Sequence, residues 1–301
     1  MNIEALYELH TKLKKYNSNT IYELTNCIER WAIAKLNDLS DADEKLREEL
    51  YEKLKNFSSK DIGYVLDFTK VAPKKDYEFL HRTGMEGYII IDGLKVGGKA
   101  AAIEVTDRMR NIILNFGRDE LFKLIQRYLP LMVSISEKYD KVVYDFAGQH
   151  WTVSKEFGDD LYKKYNILNE AFASPFNSHS LGREVCKYYS LFDEDDNVGS
   201  LGNFFSISNY DKLPPGNWMV NPPYIESIMI KMADKVIEMY NHCNAKGIPI
   251  LFYIILPRWE DCEALIKLDK VAKTKEDVFF PFVNHKGELI KKTFNARYYI
   301  L

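Results

Sequence analysis

The feature that most constrains the fold is an apolar, β-branched run from Ile248 to Leu256, in the second half of a 301-residue chain. With Pro257 included, the run covers only about half of the ~20 residues that a membrane-spanning helix needs. Because the run is apolar on both faces, it predicts a central strand buried on both sides, as in sheets that helices cover. A chain of this length can bury such a core in one large domain or two ordinary ones.

Elements of alternating type surround this run after Pro130. A short strand is expected before Glu170, and a helix is expected from Pro175 to about Tyr189. Strands that alternate with helices indicate a doubly wound α/β sheet, in which ligands bind beyond the carboxyl ends of the strands. The other predicted elements are strands over 142–146, 218–220, 278–283 and 297–301, and helices over 159–165 and 227–240.

The first part of the chain has helical periodicity instead. Leu6, Leu9 and Leu13 fall on one helix face, and Ile21, Leu24, Ile28 and Trp31 repeat this pattern. Residues 41–56 form a charged amphipathic segment. Because these apolar helix faces must be buried against other apolar side chains, we expect a helical N-terminal layer.

A glycine-rich stretch over 84–99 interrupts the helical pattern. It predicts a strand, a turn and a loop, after which helices are expected over 100–116 and 119–128. The sequence therefore predicts two domains. A mainly helical domain covers 1–120, and an α/β domain covers 121–301.

Composition and charge exclude several classes of protein. The net charge of −3 argues against binding nucleic acid through overall positive charge, although it allows a local basic groove. The cysteines at positions 27, 186, 243 and 262 lack the paired spacing of a zinc site, and we expect no bound metal. Scattered cysteines and a polar N-terminus without a signal peptide indicate an intracellular protein, cytoplasmic or nuclear, with no membrane contact.

The candidate catalytic motif is Asn221-Pro222-Pro223-Tyr224, which follows the predicted strand 218–220. Two prolines fix the backbone and remove two N–H donors, so the turn presents oxygen acceptors beside an aromatic ring. The Asn221 side-chain oxygen and the Pro222 carbonyl can accept both hydrogens of an exocyclic amine, while Tyr224 stacks on its base. Aligning that amine with a methyl donor needs no strong general base. Taken alone, the motif is equally compatible with an ordinary proline turn before a helix.

A second candidate feature precedes this motif in the chain. The stretch Glu170-Ala171-Phe172-Ala173-Ser174-Pro175 combines an acid with small residues at a strand end, where the methionine part of a cofactor can approach the backbone. The acidic run 193–196 follows, and an acid there can bind the ribose hydroxyls of a cofactor. Taken singly, these segments are at least as compatible with an ordinary turn and a solvated acidic loop. Their order before Asn221 favours the functional interpretation.

This ordered set resembles the cap-specific adenosine N6-methyltransferase family, the phosphorylated-CTD-interacting factor. The family's Glu-Ala-Phe-Ala-Ser-Pro stretch is matched by 170–175, and its Asn-Pro-Pro-Phe is matched by 221–224. Its acidic pair before Gly-Ser is matched by Asp193 and Asp195, and its Pro-x-Trp by Pro257-Arg258-Trp259. The resemblance covers roughly residues 145–301. It implies a Rossmann-like class I methyltransferase sheet, S-adenosyl-L-methionine as cofactor, and methyl transfer to adenine N6 in RNA.

The chain also departs from the family pattern. Tyr224 stands where the family has Phe, and Ser206-Ile207 stands where the family has Asp-Phe, at the position implied to hold the cofactor adenine. The family's WW module needs two closely spaced tryptophans, whereas those here stand at positions 31, 151, 218 and 259. We therefore expect no WW module and no binding of the polymerase tail by that route. Capped RNA and other capping or transcription proteins are the partners that the resemblance suggests.

The leading hypothesis is methylation of the first transcribed adenosine beside a 7-methylguanosine cap of mRNA. Adenine methylation on DNA or at internal RNA sites is one alternative, and a cap requirement would separate the two. A catalytically inactive scaffold subunit is another, and cofactor binding would test it. By resemblance, Arg258 and Trp259 contact substrate. A cap-binding surface is expected around 84–110, where glycines let phosphates approach the backbone closely. Its basic residues are Arg82, Lys95, Lys99, Arg108 and Arg110. Taken singly, each of them is more compatible with an ordinary solvated surface.

Overall fold

The structure is a computed structural model that describes residues 3–16, 18–36, 81–84, 87–181, 183–290 and 295–301. The chain divides into two compact units, Met1–Arg110 with Leu121–Gln149, and Asn111–Glu120 with His150–Leu301. These limits differ from the predicted domains 1–120 and 121–301, because residues 121–149 belong with the first unit. The amphipathic segment predicted over 41–56 lies outside the described residues.

Two helices open the first unit. Helix α1 spans Ile3–Leu13, and helix α2 spans Ser18–Leu36. The predicted apolar stripe of α1 is buried, since Leu6, Leu9 and Leu13 are each 2% exposed. The stripe of α2 is buried in the same way at Leu24, Ile28 and Trp31. Helical periodicity therefore predicted both elements correctly.

The first unit also contains a five-stranded sheet. Its strands are arranged in the order β1-β2-β3-β5-β4, with β3 and β5 parallel and the other neighbours antiparallel. Three of these strands fall within 1–120, beside helices that cover more of its described residues, so the mainly helical domain stays a prediction. The strands are β1 His81–Gly84, β2 Tyr88–Val96, β3 Lys99–Glu104, β4 Ser134–Lys138 and β5 Lys141–Asp145.

Strand β3 occupies the start of the segment 100–116 that the sequence predicted as helix. Gly97 and Gly98 adopt φ values of +57° and +80°, so the backbone reverses there and β3 returns beside β2. Pairing on both sides of β3 overrides the high helix propensity of its alanines. The helix begins only at Asp107: α3 spans Asp107–Phe116, and α4 spans Arg118–Tyr128.

The second unit is built on a six-stranded mixed sheet with the order β11-β13-β10-β9-β7-β8. Strands β8, β7, β9 and β10 are parallel, and β13 is antiparallel to both of its neighbours. A separate two-stranded sheet pairs β6 with β12. The strands are β6 Thr152–Val153, β7 Ile167–Glu170, β8 Lys187–Tyr188, β9 Asn217–Val220, β10 Phe252–Pro257, β11 Thr274–Val278, β12 Phe282–Val283 and β13 Ala296–Ile300.

The strand order of this sheet reverses at β7. Strand β8 lies on one side of β7 and β9 lies on the other. The chain therefore runs from β7 to β8 in one direction and then crosses back past β7 to reach β9. Such a reversal opens a crevice beyond the carboxyl ends of the two central strands. Three helices connect the strands: α5 Lys155–Tyr165, α6 Glu226–Ala245 and α7 Glu263–Asp269.

Strand β10 confirms the prediction of a central strand buried on both faces. Phe252, Ile254 and Leu256 belong to one buried cluster, which α6 and α7 complete. Tyr253 and Ile255 belong to a second buried cluster on the opposite face. The strand starts later than predicted, because the backbone N–H of Ile248 bonds to the Cys243 carbonyl at the end of α6. Pro249 then supplies no donor for a ladder.

Two further sequence predictions are wrong in the second unit. The helix expected from Pro175 to Tyr189 is replaced, over the described residues, by turns and the short strand β8. Serine and asparagine side chains here bond to nearby polar groups instead of leaving the backbone to form a helix. The single strand expected over 278–283 is two strands, β11 and β12, which pair in different sheets. None of the described helices has the length and apolar character that a membrane crossing requires.

Candidate active site

The two motifs singled out in the sequence lie on neighbouring strands at the reversal point. Glu170 ends β7 and pairs in register with Met219 of β9. The N–H of Ala171 then donates to the Met219 carbonyl at 3.0 Å. Because the strands are parallel, their carboxyl ends meet, and residues 170–175 and 221–224 leave the same edge of the sheet. The structure thus brings the predicted cofactor and catalytic segments together.

The catalytic candidate forms an irregular turn between β9 and α6. The hydroxyl of Tyr224 donates to Oδ1 of Asn221 at 3.2 Å. The Pro223 carbonyl accepts the N–H of Ile225 at 2.8 Å, whereas the Pro222 carbonyl accepts no hydrogen bond from the described residues. The turn therefore places the carbonyl of the buried Pro222, which has no described hydrogen-bond donor, next to the partly exposed amide of Asn221.

The hydroxyl of Tyr224 has a raised pKa because burial disfavours the charged phenolate. The side chain is only partly exposed and packs against the buried cluster of α6 and β10. The phenol therefore stays protonated at neutral pH and acts as a hydrogen-bond donor to Asn221.

Glu170 is buried and orders the loop that follows β7. Its Oε1 accepts hydrogen bonds from the Ser178 hydroxyl at 3.0 Å, and from the Ser180 N–H and hydroxyl at 2.6 Å each. The sequence argument missed both serines, although a serine at alternate positions after an acidic strand end is a visible signal. The three bonds hold the loop over 174–180 against the end of β7, so Glu170 acts first as the anchor of this loop.

The small-residue stretch after Glu170 forms a tight, buried turn. The hydroxyl of Ser174 donates to Oδ1 of Asn177 at 3.1 Å, and the same oxygen accepts the Ser174 N–H at 2.7 Å. Ala171, Ser174 and Pro175 are buried, while Phe172 and Ala173 are partly exposed. The exposed edge of this turn is therefore formed by Phe172 and Ala173.

The acidic run forms a 3-10 turn after β8, and its two predicted ligands differ in access. Asp193 is exposed, and its Oδ1 accepts the N–H of Asn203 at 3.1 Å. Asp195 is 0% exposed. Only Asp193 therefore offers a carboxylate oxygen to a ligand at the surface, while Asp195 belongs to the interior of the turn.

Ser206 is exposed in a second 3-10 turn, Phe204–Ser206, which a lysine of α6 holds in place. The ammonium group of Lys235 donates to the Phe205 carbonyl at 3.4 Å and to the Ile207 carbonyl. Burial lowers the pKa of Lys235. The sequence argument missed Lys235, because one lysine on an amphipathic helix gives no signal of an inward contact.

Arg258 and Trp259 follow β10 at the same edge of the sheet as Asn221. Arg258 pairs with Glu260 at 2.5 Å and with Asp277 at 3.3 Å, so its charge is compensated within the protein. Trp259 is 37% exposed. Both predicted substrate contacts are therefore accessible, since the Arg258 side chain is 43% exposed.

The five basic residues predicted to bind the cap belong to the first unit, and two of them are in exposed ion pairs. Lys99 pairs with Glu137 at 2.6 Å, and Arg110 pairs with Asp107 at 2.5 Å. Lys95 is exposed and Arg108 is half-buried. Arg82 lies in β1, and its side chain is outside the described part of the chain. Exposed pairs of this kind are weak, so a phosphate can compete for Lys99 or Arg110.

Metal chemistry has no evident place at this site. Within the described part of the chain, no group of three or more histidine, cysteine, aspartate or glutamate side chains is arranged to hold a metal ion. The groups of the turn 221–224 are instead neutral oxygens, a hydroxyl and an aromatic ring. They suit an amine, a base or a sugar better than a cation of high charge density.

A comparison with protein families identifies one match. The family model described as phosphorylated CTD interacting factor 1 WW domain matches residues 115–287, more than half of the chain. The match contains both segments at the reversal point. The expected absence of a WW module remains a prediction from tryptophan spacing. No curated protein matches the chain.

Proposed function

Because the chain belongs to the phosphorylated CTD interacting factor 1 WW domain family, we propose that it is an S-adenosylmethionine-dependent methyltransferase acting on adenine N6 in RNA. The observation that carries the proposal is the meeting of two motifs at one place. Residues 170–175 and 221–224 leave adjacent parallel strands where the strand order reverses. Ligands of doubly wound sheets bind at such a point.

The sheet of the second unit supports a Rossmann-like class I methyltransferase fold. Its central strands are parallel, α6 connects β9 to β10, and an antiparallel strand lies near one edge. Doubly wound sheets commonly carry such an antiparallel strand. The family match covers most of this sheet but names no reaction, so the fold assignment is part of the proposal.

The residues at the reversal point fit the cofactor by their chemistry. When bound, S-adenosylmethionine supplies a methyl group on a positively charged sulfur. The open edge at Phe172 and Ala173 suits the methionine part, the exposed carboxylate of Asp193 suits ribose hydroxyls, and the exposed turn at Ser206 suits the adenine. Glu170 holds the loop over 174–180 in place for this contact.

The catalytic turn positions the target amine. Oδ1 of Asn221 and the Pro222 carbonyl, which has no described hydrogen-bond donor, each accept one N–H of the adenine amine, which holds the nitrogen lone pair toward the methyl donor. The Tyr224 hydroxyl occupies one lone pair of Oδ1 and leaves the other for the amine. The ring of Tyr224 stacks on the base. After transfer, the amine nitrogen loses one proton to water, so no strong base is needed. Most of the rate gain comes from alignment.

The cap-adjacent adenosine is the proposed target, and the first unit is the proposed cap-binding layer. Lys95, Lys99 and Arg110 are surface cations that can meet the triphosphate bridge. A single-stranded target costs little to present, because no base pair must be opened. The family's printed name also supports an encounter with transcription proteins, and hence a nuclear location, as a proposal for this chain.

Methyl transfer to four matched nucleic acids tests the proposal. Capped RNA, uncapped RNA, single-stranded DNA and capped RNA that lacks the first adenosine are offered with labelled S-adenosylmethionine. We expect label in capped RNA at N6 of the first adenosine, and little in the others. Equal labelling of uncapped RNA or DNA would reject the cap proposal and leave a general adenine methyltransferase.

Cofactor binding separates an inactive scaffold from an enzyme that lacks its substrate. Calorimetric titration with S-adenosylhomocysteine is expected to show one site. Absence of binding, together with absence of transfer, would reject the methyltransferase proposal altogether. Alanine replacement of Lys95, Lys99 and Arg110, one at a time, is expected to reduce labelling of capped RNA more than binding of S-adenosylhomocysteine.

A further inference from the structure

Two exposed aromatic side chains lie at the carboxyl edge of the sheet, beyond the catalytic turn. Trp259 follows β10 and is 37% exposed, and Phe279 follows β11 and is 64% exposed. Phe279 plays no part in the proposed chemistry. Exposed aromatic side chains beside a proposed nucleic-acid site can serve as stacking platforms for bases.

Strand register places these residues on one edge. Pro257 of β10, Ala296 of β13 and Val278 of β11 form one row across the sheet. Trp259 and Phe279 each follow the last residue of their strand in this row. Because neighbouring strands are about 4.8 Å apart, the edge from Asn221 at β9 to Phe279 at β11 extends over about 14 Å.

The direction in which the Phe279 side chain points follows from the burial of its neighbours in the chain. Val278 and Phe280 pack on the second buried cluster. Side chains alternate along a strand, so Phe279 points to the other face, on the side of Asp277 and Arg297. That is the face on which Tyr224 packs against the cluster of α6 and β10.

An ion-pair network lies between the two rings and is balanced in charge. Arg297 is held by Asp277, with Nε–Oδ1 at 2.5 Å, and its side chain is 11% exposed. Arg258 pairs with Glu260 and Asp277, and its side chain is 43% exposed. The charges of the two arginines and the two acids cancel. The partly exposed guanidinium group of Arg258 is the cationic group between the two rings.

The opposite end of the same edge is acidic. Asp193, Glu194 and Asp196 follow β8 and are all exposed. A polyanion bound at Asn221 is repelled at that end and meets aromatic rings and an arginine at the other. Stacking platforms with an arginine are the features that bind single-stranded nucleic acid without sequence preference.

We propose that the edge formed by Trp259, Arg258 and Phe279 binds the RNA strand that leaves the target adenosine on its 3′ side. This rests on the proposed function, because a cap-adjacent adenosine is joined to a continuing RNA strand on that side only. The rings stack on the nucleotides that follow the target. The balanced network limits the phosphate contact to about one charge, so binding depends weakly on salt.

Fluorescence anisotropy with labelled single-stranded RNA tests this surface without relying on catalysis. Phe279→Ala and Trp259→Ala are each expected to weaken binding about fivefold or more, as loss of one base–aromatic stack does. Phe279→Tyr is expected to retain binding. Val185→Ala and Tyr162→Ala are matched controls, because Val185 is 59% exposed, Tyr162 is 37% exposed, and both lie away from this edge. A fourfold rise in salt is expected to weaken binding less than about threefold.

Substrate length provides the second measurement. For the unaltered protein, kcat/KM is expected to be higher for a longer capped RNA than for a capped dinucleotide, and Phe279→Ala is expected to reduce that ratio. Unchanged RNA affinity in both aromatic variants, or equal losses in the two controls, would overturn the proposal. RNA binding that depends on Phe279 without any methyl transfer would reject the proposed function and leave the surface standing. Methyl transfer without RNA binding that depends on Phe279 would reject this surface and leave the proposed function standing.

Discussion

Replacement of Asn221 by alanine separates a catalytic role from a structural one by magnitude. The side chain is partly exposed and receives one described hydrogen bond, from Tyr224 at 3.2 Å. Loss of one such bond costs about 0.5–1.5 kcal/mol of folding free energy. That corresponds to a melting shift of a few degrees for a unit of this size. Loss of a positioned catalytic acceptor, by analogy with oxyanion-hole donors, costs about 10²–10³-fold in kcat.

Three measurements on the same preparation distinguish these effects. Melting temperature reports the fold, calorimetric titration with S-adenosylhomocysteine reports the cofactor site, and single-turnover methyl transfer to capped RNA reports the chemical step. Asn209→Ala is the matched control, because Asn209 also makes one described side-chain hydrogen bond, at 3.1 Å to the Asp211 N–H, and lies outside the motif. We expect Asn221→Ala to bind cofactor nearly normally while its transfer rate falls by two to three orders of magnitude.

The reasoning about the amine acceptor would be refuted by a modest effect on rate. If Asn221→Ala kept a tenth or more of the transfer rate, the amide oxygen would not be holding the target nitrogen. Loss of cofactor binding together with loss of rate would instead place Asn221 on the cofactor side. A large drop in melting temperature would mean that the hydrogen bond to Tyr224 holds the turn.

Three further predictions use other residues of the second unit. Tyr224→Phe is expected to lower the transfer rate less than tenfold, and Tyr224→Ala to lower it more, because stacking of about 1–3 kcal/mol needs the ring and not the hydroxyl; equal losses in single-turnover assays would contradict this. Glu170→Gln is expected to lower both the melting temperature and the affinity for S-adenosylhomocysteine, because three hydrogen bonds from the loop end on this carboxylate; unchanged affinity would mean that the loop does not contribute to the cofactor site. Lys155 and Arg183 lower the pKa of Asp159 from 3.8 to about 2, so the stabilisation that this carboxylate gives is present above about pH 4 and is lost as pH falls toward 2. This stabilisation is expected to be under about 1 kcal/mol, because the ion pair is partly exposed. Asp159→Asn should remove the corresponding loss of unfolding free energy at low pH in denaturant titrations. An identical pH profile in the variant would contradict the assignment.

The sequence predicted best where a pattern is local and buried. The run that became β10 is apolar at every position, so its burial on both faces followed directly. The helix predicted over 227–240 is α6, whose regular stripe lies against that strand. Asn221 was correctly expected after a strand, because the motif interrupts a strand pattern just before a strong helix pattern.

The predictions that failed depended on partners distant in the chain. Residues 100–104 have the composition of a helix and become β3 because β2 and β5 lie on either side. Residues after Pro175 were predicted as a helix, yet the hydroxyls of Ser178 and Ser180 bond to Glu170 rather than leaving the backbone to a helix. Pairing between distant residues is not encoded in local periodicity.

Ion pairs that the sequence did not reveal limited the prediction of binding residues more than errors in the predicted helices and strands did. Arg258 was chosen by resemblance to the family's Pro-x-Trp, and the structure shows that Glu260 and Asp277 compensate its charge. Lys99 and Arg110 are paired in the same way, with Glu137 and Asp107. No local pattern reveals the acid that Lys99 meets, since Glu137 is far away in the chain, whereas Asp107 lies only three residues before Arg110.

Under the proposed function, the carboxyl edge of the second unit's sheet lets a chain with a net charge of −3 serve an anionic substrate. The β8 end of this edge carries exposed acids at 193, 194 and 196, while the β10 and β11 end carries aromatic rings around a compensated arginine. A cofactor with a positively charged sulfur is favoured at the first end, and a polyanion is disfavoured there. Under the proposed function, Asn221 at β9 stands between the two ends, where the methyl group and the amine must meet. Local separation of charge along one sheet edge then directs the two substrates to opposite sides of the catalytic turn, and no overall positive charge is required.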